Sequence, residues 1–92
     1  MGKARLLIVE DDQDISMMLR IYFSGQGYDV DYAYRGMDAL EKTRQGMPHL
    51  IILDIMLPDI DGYEVCRNLR TNTRTSHIPV IFLTQKDERS DK

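Results

Sequence analysis

Acidic residues directly follow two short apolar runs of this sequence. Glu10 and Asp11 follow residues 6–9 (Leu-Leu-Ile-Val), and Asp54 follows residues 50–53 (Leu-Ile-Ile-Leu). Glu10 and Asp11 could simply be helix-start acids, which the helix dipole favours. A helix cap requires only one acid, however, so two acids directly after a buried run favour a further role. If the two runs are neighbouring parallel strands, the three carboxylates converge and repel one another. A divalent cation relieves this repulsion, and oxygen-only ligands suit Mg²⁺, beside which a carboxylate can attack a phosphoryl group.

Four segments have the pattern of β-strands. Continuous apolar runs at residues 6–9, 50–53 and 78–83 predict strands buried on both faces. The alternation of apolar and polar residues at 28–33 predicts a half-exposed strand. Within the last run, Pro79 lacks a backbone N–H and blunts only the first part of an apolar strand. We therefore expect the edge of this strand to be prone to association.

Helix-length segments separate the four strands. The first helix is predicted to bury an i, i+3, i+4, i+7 stripe and to be capped by Asp12 or Asp14; the stripe is Ile15, Met18, Leu19 and Tyr22. The second and third helices are predicted from Gly36 to just before Gly46 and over residues 62–70, with these residues inward: Met37, Ala39, Leu40, Val65, Cys66 and Leu69. Residues 85–92 have the polar composition of a fourth helix start.

The alternation of strands and helices predicts an α/β fold. Its sheet is expected to be parallel, with helices on both faces. If the chain winds outward from strand one to strand two and returns past strand one to strand three, strands one and three are neighbours at the reversal. Because ligands bind beyond the carboxyl ends of strands at such a point, we expect Glu10, Asp11 and Asp54 to meet there.

Composition limits the classes of function. The chain has 92 residues, of which 42% are hydrophobic and 29% charged, so we expect one folded domain. Its net charge of −3 lacks the basic character of a phosphate-backbone binder, which argues against nucleic-acid binding by this segment. The single cysteine indicates a reducing compartment, and no apolar run approaches the roughly 18 residues of a membrane span. We therefore expect a cytoplasmic protein without a membrane segment.

Four motifs, together spread over most of the chain, resemble the receiver domain of two-component response regulators. They are residues 9–12 (Val-Glu-Asp-Asp), residues 53–58 (Leu-Asp-Ile-Met-Leu-Pro), Gly62, and residues 82–84 (Phe-Leu-Thr). The resemblance implies a flavodoxin-like (CheY-like) doubly wound parallel sheet. It also implies a signalling switch rather than a turnover enzyme, in which a sensor histidine kinase phosphorylates the protein and the altered charge controls an output domain or downstream protein.

The same resemblance assigns roles to individual residues. It implies that Asp54 accepts the phosphoryl group, either from the kinase or from a small phosphodonor. It further implies that Mg²⁺ is held by Glu10, Asp11, Asp54 and the backbone carbonyl of Met56. The Thr84 hydroxyl would bond to the new phosphoryl group, and Thr84 can also serve as the N-cap of the next helix.

The resemblance covers four of the family's five βα units. We therefore expect residues 1–92 to be a receiver domain truncated before its fifth strand and final helix. The family's phosphoryl-pairing lysine and its switching aromatic residue would lie beyond Lys92. Gln85 stands where the family usually has alanine or glycine, which implies more restricted access to the phosphorylated aspartate.

Two other functions remain open from the residues alone. A Mg²⁺-dependent phosphatase of the aspartyl-phosphate type needs a second acid two residues after its nucleophile. Met56 stands two residues after Asp54, and Gln13 two residues after Asp11, which disfavours this function. The other alternative is an interaction fragment that forms a homodimer through the exposed edge of the fourth strand, with impaired switching.

Overall fold

The computed structural model describes residues 2–83 of the chain. Thr84 and the predicted fourth helix start at residues 85–92 lie outside these residues. In chain order the elements are β1 (Arg5–Val9), α1 (Gln13–Gly25), β2 (Asp29–Ala33), α2 (Gly36–Gly46), β3 (Leu50–Asp54), α3 (Gly62–Arg70) and β4 (Val80–Leu83). No helix in this described part is long and apolar enough to cross a membrane.

The strands form one parallel sheet in the order β2-β1-β3-β4. This order confirms the predicted reversal of winding between β1 and β3. Alternate residues of the two central strands point to opposite faces of the sheet. Because helices cover both faces, both strands are apolar throughout. On one face a core of Leu6, Ile8 and Ile52 packs against Leu19 and Phe23 of α1. The opposite face packs against α2 and α3 through a second core: Leu7, Val9, Ala33, Ala39, Leu40, Ile51, Leu53, Val65, Leu69 and Ile78.

Two predictions about buried helix residues are wrong. In α1, Met18 and Tyr22 are 60% and 58% exposed, and the completely buried residue is Ser16. The buried face of α1 is therefore rotated towards the small residue Ser16. In α2, Met37 is 58% exposed, because the buried face of this helix begins at Gly36 and continues through Ala39.

The fourth strand is shorter and less buried than the apolar run predicts. It begins at Val80, although the Pro79 carbonyl still accepts a hydrogen bond from the Ile51 N–H at 3.0 Å. Ile78 is buried before the strand starts, whereas Ile81 within it is 52% exposed. Among the described residues β4 pairs with β3 alone, so its outer side is an edge of the sheet.

Side chains engage part of the outer edge of β2. The Asp29 N–H and the Ala33 carbonyl bond towards β1, so the backbone of Tyr32 faces outward. The Tyr32 N–H donates to Asp31 Oδ1 at 2.8 Å, and Lys42 Nζ donates to the Tyr32 carbonyl at 2.5 Å. Lys42 and Asp31 also form an ion pair at 3.3 Å. These three residues, which we call the β2 guard, occupy backbone groups that another strand would need.

Candidate functional site

The register of the two central strands brings three acids together. Val9 of β1 is paired with Leu53 of β3, so the next residues, Glu10 and Asp54, lie side by side at the carboxyl ends of these strands. Carboxylate oxygens of Glu10, Asp11 and Asp54 all lie within 4.8 Å of one another. The predicted convergence of these acids is confirmed, and we refer to them as the acidic cluster.

The members of the acidic cluster differ in their exposure to water. Glu10 and Asp54 are each 1% exposed, whereas Asp11 is exposed. The Glu10 N–H extends the pairing of β1 by donating to the Ala33 carbonyl at 3.1 Å. Glu10 Oε2 in turn accepts a hydrogen bond from the Asp12 N–H at 3.0 Å. The cluster thus has two inner carboxylates fixed by the sheet and one carboxylate at the solvent side.

Asp12 starts the helix that follows the cluster. Its Oδ1 accepts hydrogen bonds from the Asp14 N–H at 3.0 Å and the Ile15 N–H at 3.1 Å. Such an N-cap satisfies donors that have no partner within the helix. The choice left open between Asp12 and Asp14 is therefore settled in favour of Asp12. Of the three consecutive acids, two belong to the acidic cluster and the third fixes the start of α1.

The loop between β3 and α3, residues 55–61, passes directly beside the cluster. Its Met56 N–H donates to Asp54 Oδ1 at 3.3 Å, which holds the carboxylate of Asp54 by a local contact. The Met56 side chain is 56% exposed. At the far end of the loop, the Gly62 N–H donates to the Ile55 carbonyl at 2.8 Å. We call this segment the β3–α3 loop.

Gly62 allows the start of α3 to approach the end of β3. A Cβ atom at this position would lie 2.4 Å from the Asp54 carbonyl oxygen and 2.9 Å from the Ile55 Cα. Both neighbours are backbone atoms, which cannot rotate away as a side chain can. The close approach thus requires a residue without a side chain, and it fixes the backbone of Asp54 itself.

Asp59 is a residue of this region that the sequence analysis missed. Its Oδ1 accepts from the Gly36 N–H at 2.8 Å and its Oδ2 from the Met37 N–H at 2.9 Å, at the start of α2. Desolvation raises the pKa of the Asp59 carboxyl, but hydrogen bonds from backbone N–H groups, led by Met37 and Gly36, outweigh it and hold this pKa below 3.8. One sequence signal points to such a contact. Arg35 stands at the N-cap of α2, and because its side chain cannot accept a hydrogen bond, the first N–H groups of this helix need an acceptor from elsewhere in the chain.

The lowered pKa of Asp59 predicts an acid-dependent contribution to stability. The ionised form is favoured in the folded state, so the contribution is complete above the unfolded pKa near 3.8 and is lost as the pH falls through the lower folded pKa. We expect the unfolding free energy of the wild type to exceed that of Asp59→Asn near neutral pH, and the difference to shrink below pH 3.8. Urea unfolding of both proteins over this range measures it; a difference that stays constant contradicts the prediction.

The donor set of the acidic cluster fits a hard divalent cation. All three side chains offer carboxylate oxygens, and their spacing allows them to face one ion. Exposure of Asp11 leaves one side accessible to water, which Mg²⁺ retains in most protein sites. The residues of this chain therefore satisfy the chemical requirements of a Mg²⁺ site. The role predicted for Thr84 falls outside the described residues, and that of the Met56 carbonyl stays a prediction.

Comparison with known proteins identifies the family of this chain. The family described as "Response regulator receiver domain" matches residues 6–92. The phosphate regulon transcriptional regulatory protein PhoB of Rhizobium meliloti is 38% identical over 88 residues, which cover 96% of this chain and 39% of that protein. The chain therefore spans about two fifths of the length of this curated relative.

Solved structures show the same architecture. The N-terminal domain of a response regulator receiver protein from Methanoculleus marisnigri matches with a TM-score of 0.86 and 33% identity, over 89% of this chain and 67% of that chain. The chemotaxis protein CheY4 of Vibrio cholerae matches with a TM-score of 0.85 and 25% identity, over 97% and 77%. The fold is therefore CheY-like, as the resemblance to receiver domains implies.

Proposed function

Because this chain belongs to the family of response regulator receiver domains, we propose that it accepts a phosphoryl group on Asp54 from the phosphohistidine of a sensor histidine kinase or from a small phosphodonor. A receiver domain is a signalling module. The observation that carries the proposal is the convergence of Glu10, Asp11 and Asp54, because it supplies both a nucleophile and neighbouring oxygen ligands at one edge of the sheet. We place this function in the cytoplasm.

In this reaction Asp54 acts as the nucleophile. A carboxylate oxygen forms a bond to phosphorus, the bond from phosphorus to the donor breaks, and its electron pair leaves with the imidazole or carboxylate of the donor. The hydrogen bond from the Met56 N–H to Oδ1 orients the Asp54 carboxylate for this attack. Since Asp54 is 1% exposed, its surroundings exclude most water from the reacting side chain.

The proposal assigns the neighbouring residues to a metal site. Glu10, Asp11, Asp54 and the Met56 carbonyl would hold Mg²⁺, which supplies positive charge to offset that of the incoming phosphoryl group. Thr84 would then bond to the phosphoryl group through its hydroxyl. Phosphorylation adds about one to two negative charges, and this change would control an output domain or a downstream protein. PhoB, the relative named above, is a transcriptional regulatory protein.

Mg²⁺ is expected both to stabilise the fold and to be required for phosphorylation. At ten times its Kd, Mg²⁺ should stabilise the chain by about 1.4 kcal/mol, which raises the Tm of a domain of this size by several degrees. Differential scanning fluorimetry with and without Mg²⁺ measures this shift. Intact mass after incubation with acetyl phosphate should show one added phosphoryl group with Mg²⁺ and none with EDTA.

The matched variants for this experiment are two exposed aspartates. Asp11→Asn removes one oxygen anion from the acidic cluster and should weaken both Mg²⁺ effects. Asp38→Asn, in the first turn of α2, should leave both effects as in the wild type. Equal phosphorylation of the wild type in EDTA would contradict the Mg²⁺ requirement.

A second proposed activity is homodimerisation through the edge of β4. Among the described residues both β2 and β4 are edge strands, but β4 carries a large apolar residue, Ile81, that is 52% exposed. The β2 guard, by contrast, occupies the outward backbone groups at the other edge. Such a dimer leaves the acidic cluster in place, so this activity is compatible with phosphorylation.

We expect the 92-residue chain to sediment as a dimer and Ile81→Lys to sediment as a monomer. A lysine on an edge strand carries a charge that opposes pairing with another strand. The control is Ile21→Lys, which places the same charge at a residue of α1 that is 67% exposed and lies away from the edge. Sedimentation velocity at several concentrations checks the prediction, and a monomeric wild type at all of them rules out dimerisation.

A further inference from the structure

The start of α2 is capped by a side chain from another part of the chain. Arg35 occupies the N-cap position in an extended conformation, and its side chain makes no capping hydrogen bond. The Gly36 and Met37 N–H groups donate instead to the two carboxylate oxygens of Asp59, at 2.8 and 2.9 Å. Asp59 lies 23 and 22 residues further along the chain than its two donors. This contact therefore links the start of α2 to the loop between β3 and α3, whereas an ordinary N-cap lies within the sequence of its own helix.

Asp59 belongs to the β3–α3 loop, whose two ends are already attached. At the beginning of the loop, Met56 donates to the Asp54 carboxylate at 3.3 Å. At its end, Gly62 donates to the Ile55 carbonyl at 2.8 Å. The two hydrogen bonds from α2 attach the middle of the loop, between these points. Residues from Asp54 to the start of α3 are thus held at three places.

Packing beside Asp59 supports the same attachment. A Cβ atom at Gly36 would lie 2.5 Å from Cγ1 of Ile60, the residue that follows Asp59. It would also lie 2.9 Å from Cγ2 of Val65 in α3. The start of α2 therefore lies in close contact with the loop through apolar atoms as well as through hydrogen bonds. Gly36 makes this approach sterically feasible.

We propose that Asp59 is a positioning residue, which fastens the β3–α3 loop to the start of α2 and thereby holds the Met56 backbone beside Asp54. This inference rests on the proposed function, because it assigns Asp59 a part in Mg²⁺ binding and phosphorylation. Asp59 acts through Met56 and touches neither the ion nor the phosphoryl donor. Partners bonded directly to metal ligands change metal affinity by about 10- to 100-fold when removed, and Asp59, which acts through the loop, should have an effect at the lower end of this range.

Asp59→Ala is expected to loosen the loop and weaken Mg²⁺ binding. Amide hydrogen exchange at Met56 should become faster in the metal-free protein, because the loop loses its central attachment. The Kd for Mg²⁺, measured by isothermal titration calorimetry, should rise about 10-fold. Asp59→Asn retains one acceptor oxygen and can still cap a helix, but its NH₂ group faces the second backbone N–H donor. Its Met56 exchange rate and its Kd should therefore lie between those of Asp59→Ala and those of the wild type.

The control is Asp61→Ala, which removes the N-cap of α3 from the same loop. Asp61 Oδ1 accepts from the Glu64 N–H at 2.9 Å, beside the end of the loop that Gly62 already attaches. This variant should lose comparable thermal stability while Met56 exchange and the Mg²⁺ Kd stay at wild-type values. Circular dichroism establishes that each variant is folded.

The two readouts separate the inference from the function beneath it. Unchanged Met56 exchange and an unchanged Mg²⁺ Kd in folded Asp59→Ala would overturn the positioning role. Equal effects of Asp61→Ala and Asp59→Ala on both readouts would also overturn it, since any lost cap would then suffice. A wild-type protein that binds no Mg²⁺ overturns the proposed function, whatever the exchange rate at Met56.

Discussion

Asp54→Asn is expected to abolish phosphorylation of the chain by acetyl phosphate. The substitution keeps the shape of the side chain but replaces the carboxylate nucleophile by an amide, whose oxygen carries no full negative charge. Intact mass after incubation with acetyl phosphate and Mg²⁺ should show one phosphoryl group on the wild type and none on the variant. Hydroxylamine cleaves an acyl phosphate at its carbonyl carbon, so loss of the phosphoryl group on hydroxylamine treatment gives a second check on the wild-type product.

The control for this experiment is another aspartate at the far end of the sheet. Asp29 begins β2, whereas Asp54 ends β3, so the two side chains lie at opposite ends of parallel strands. Asp29→Asn has the same change in charge and should be phosphorylated as the wild type is. Phosphorylation of Asp54→Asn at the wild-type level would exclude Asp54 as the acceptor.

Gly62→Ala is expected to cause the largest loss of stability from a single methyl group in this region. The new Cβ would lie 2.4 Å from the Asp54 carbonyl oxygen, and only a shift of the backbone can relieve the overlap. We expect the free energy of unfolding to fall by about 2–3 kcal/mol, as for other overpacked sites. Chemical denaturation followed by circular dichroism measures the change. Because the shifted backbone carries the carboxylate of Asp54, phosphorylation by acetyl phosphate should also slow.

Gly46→Ala is the matched control, with an expected effect of the opposite sign. Gly46 is the last residue of α2, and a Cβ atom there would have no heavy atom within 4 Å. Alanine restricts the unfolded chain more than glycine does, so this substitution should stabilise the protein by about 0.4–1 kcal/mol. Equal effects of the two substitutions would show that the contact with Asp54 does not determine the cost at Gly62.

The position of the acidic cluster could be predicted because it depends on topology. Two apolar runs that each end in acids, separated by a helix, a strand and a further helix, allow few arrangements of a parallel sheet. The observed pairing of Val9 with Leu53 then sets Glu10 beside Asp54 without any further condition. The affinity of carboxylates for Mg²⁺ follows from residue type, so the Mg²⁺ site could be proposed without knowledge of side-chain packing.

Details that depend on close packing could not be predicted in this way. The stripe of α1 was misplaced because Met18 and Tyr22 are apolar and helically spaced, yet both are exposed and the small Ser16 is buried. Asp59 was missed because its partners in α2 lie 22 and 23 residues away and are backbone groups, which carry no residue type. Long-range contacts between a side chain and the backbone leave no periodic pattern in a sequence.

The β2 guard has a consequence for the assembly of the sheet during synthesis. Asp31, Tyr32 and Lys42 all precede β3, so one side of the β1–β2 pair can be closed while the rest of the protein is still on the ribosome. The strands synthesised later lie on the other side of β1, first β3 and then β4. In such a nascent chain the sheet extends on the β1 side. The β2 guard disfavours pairing of the β2 edge with strands of other nascent chains on the same messenger RNA.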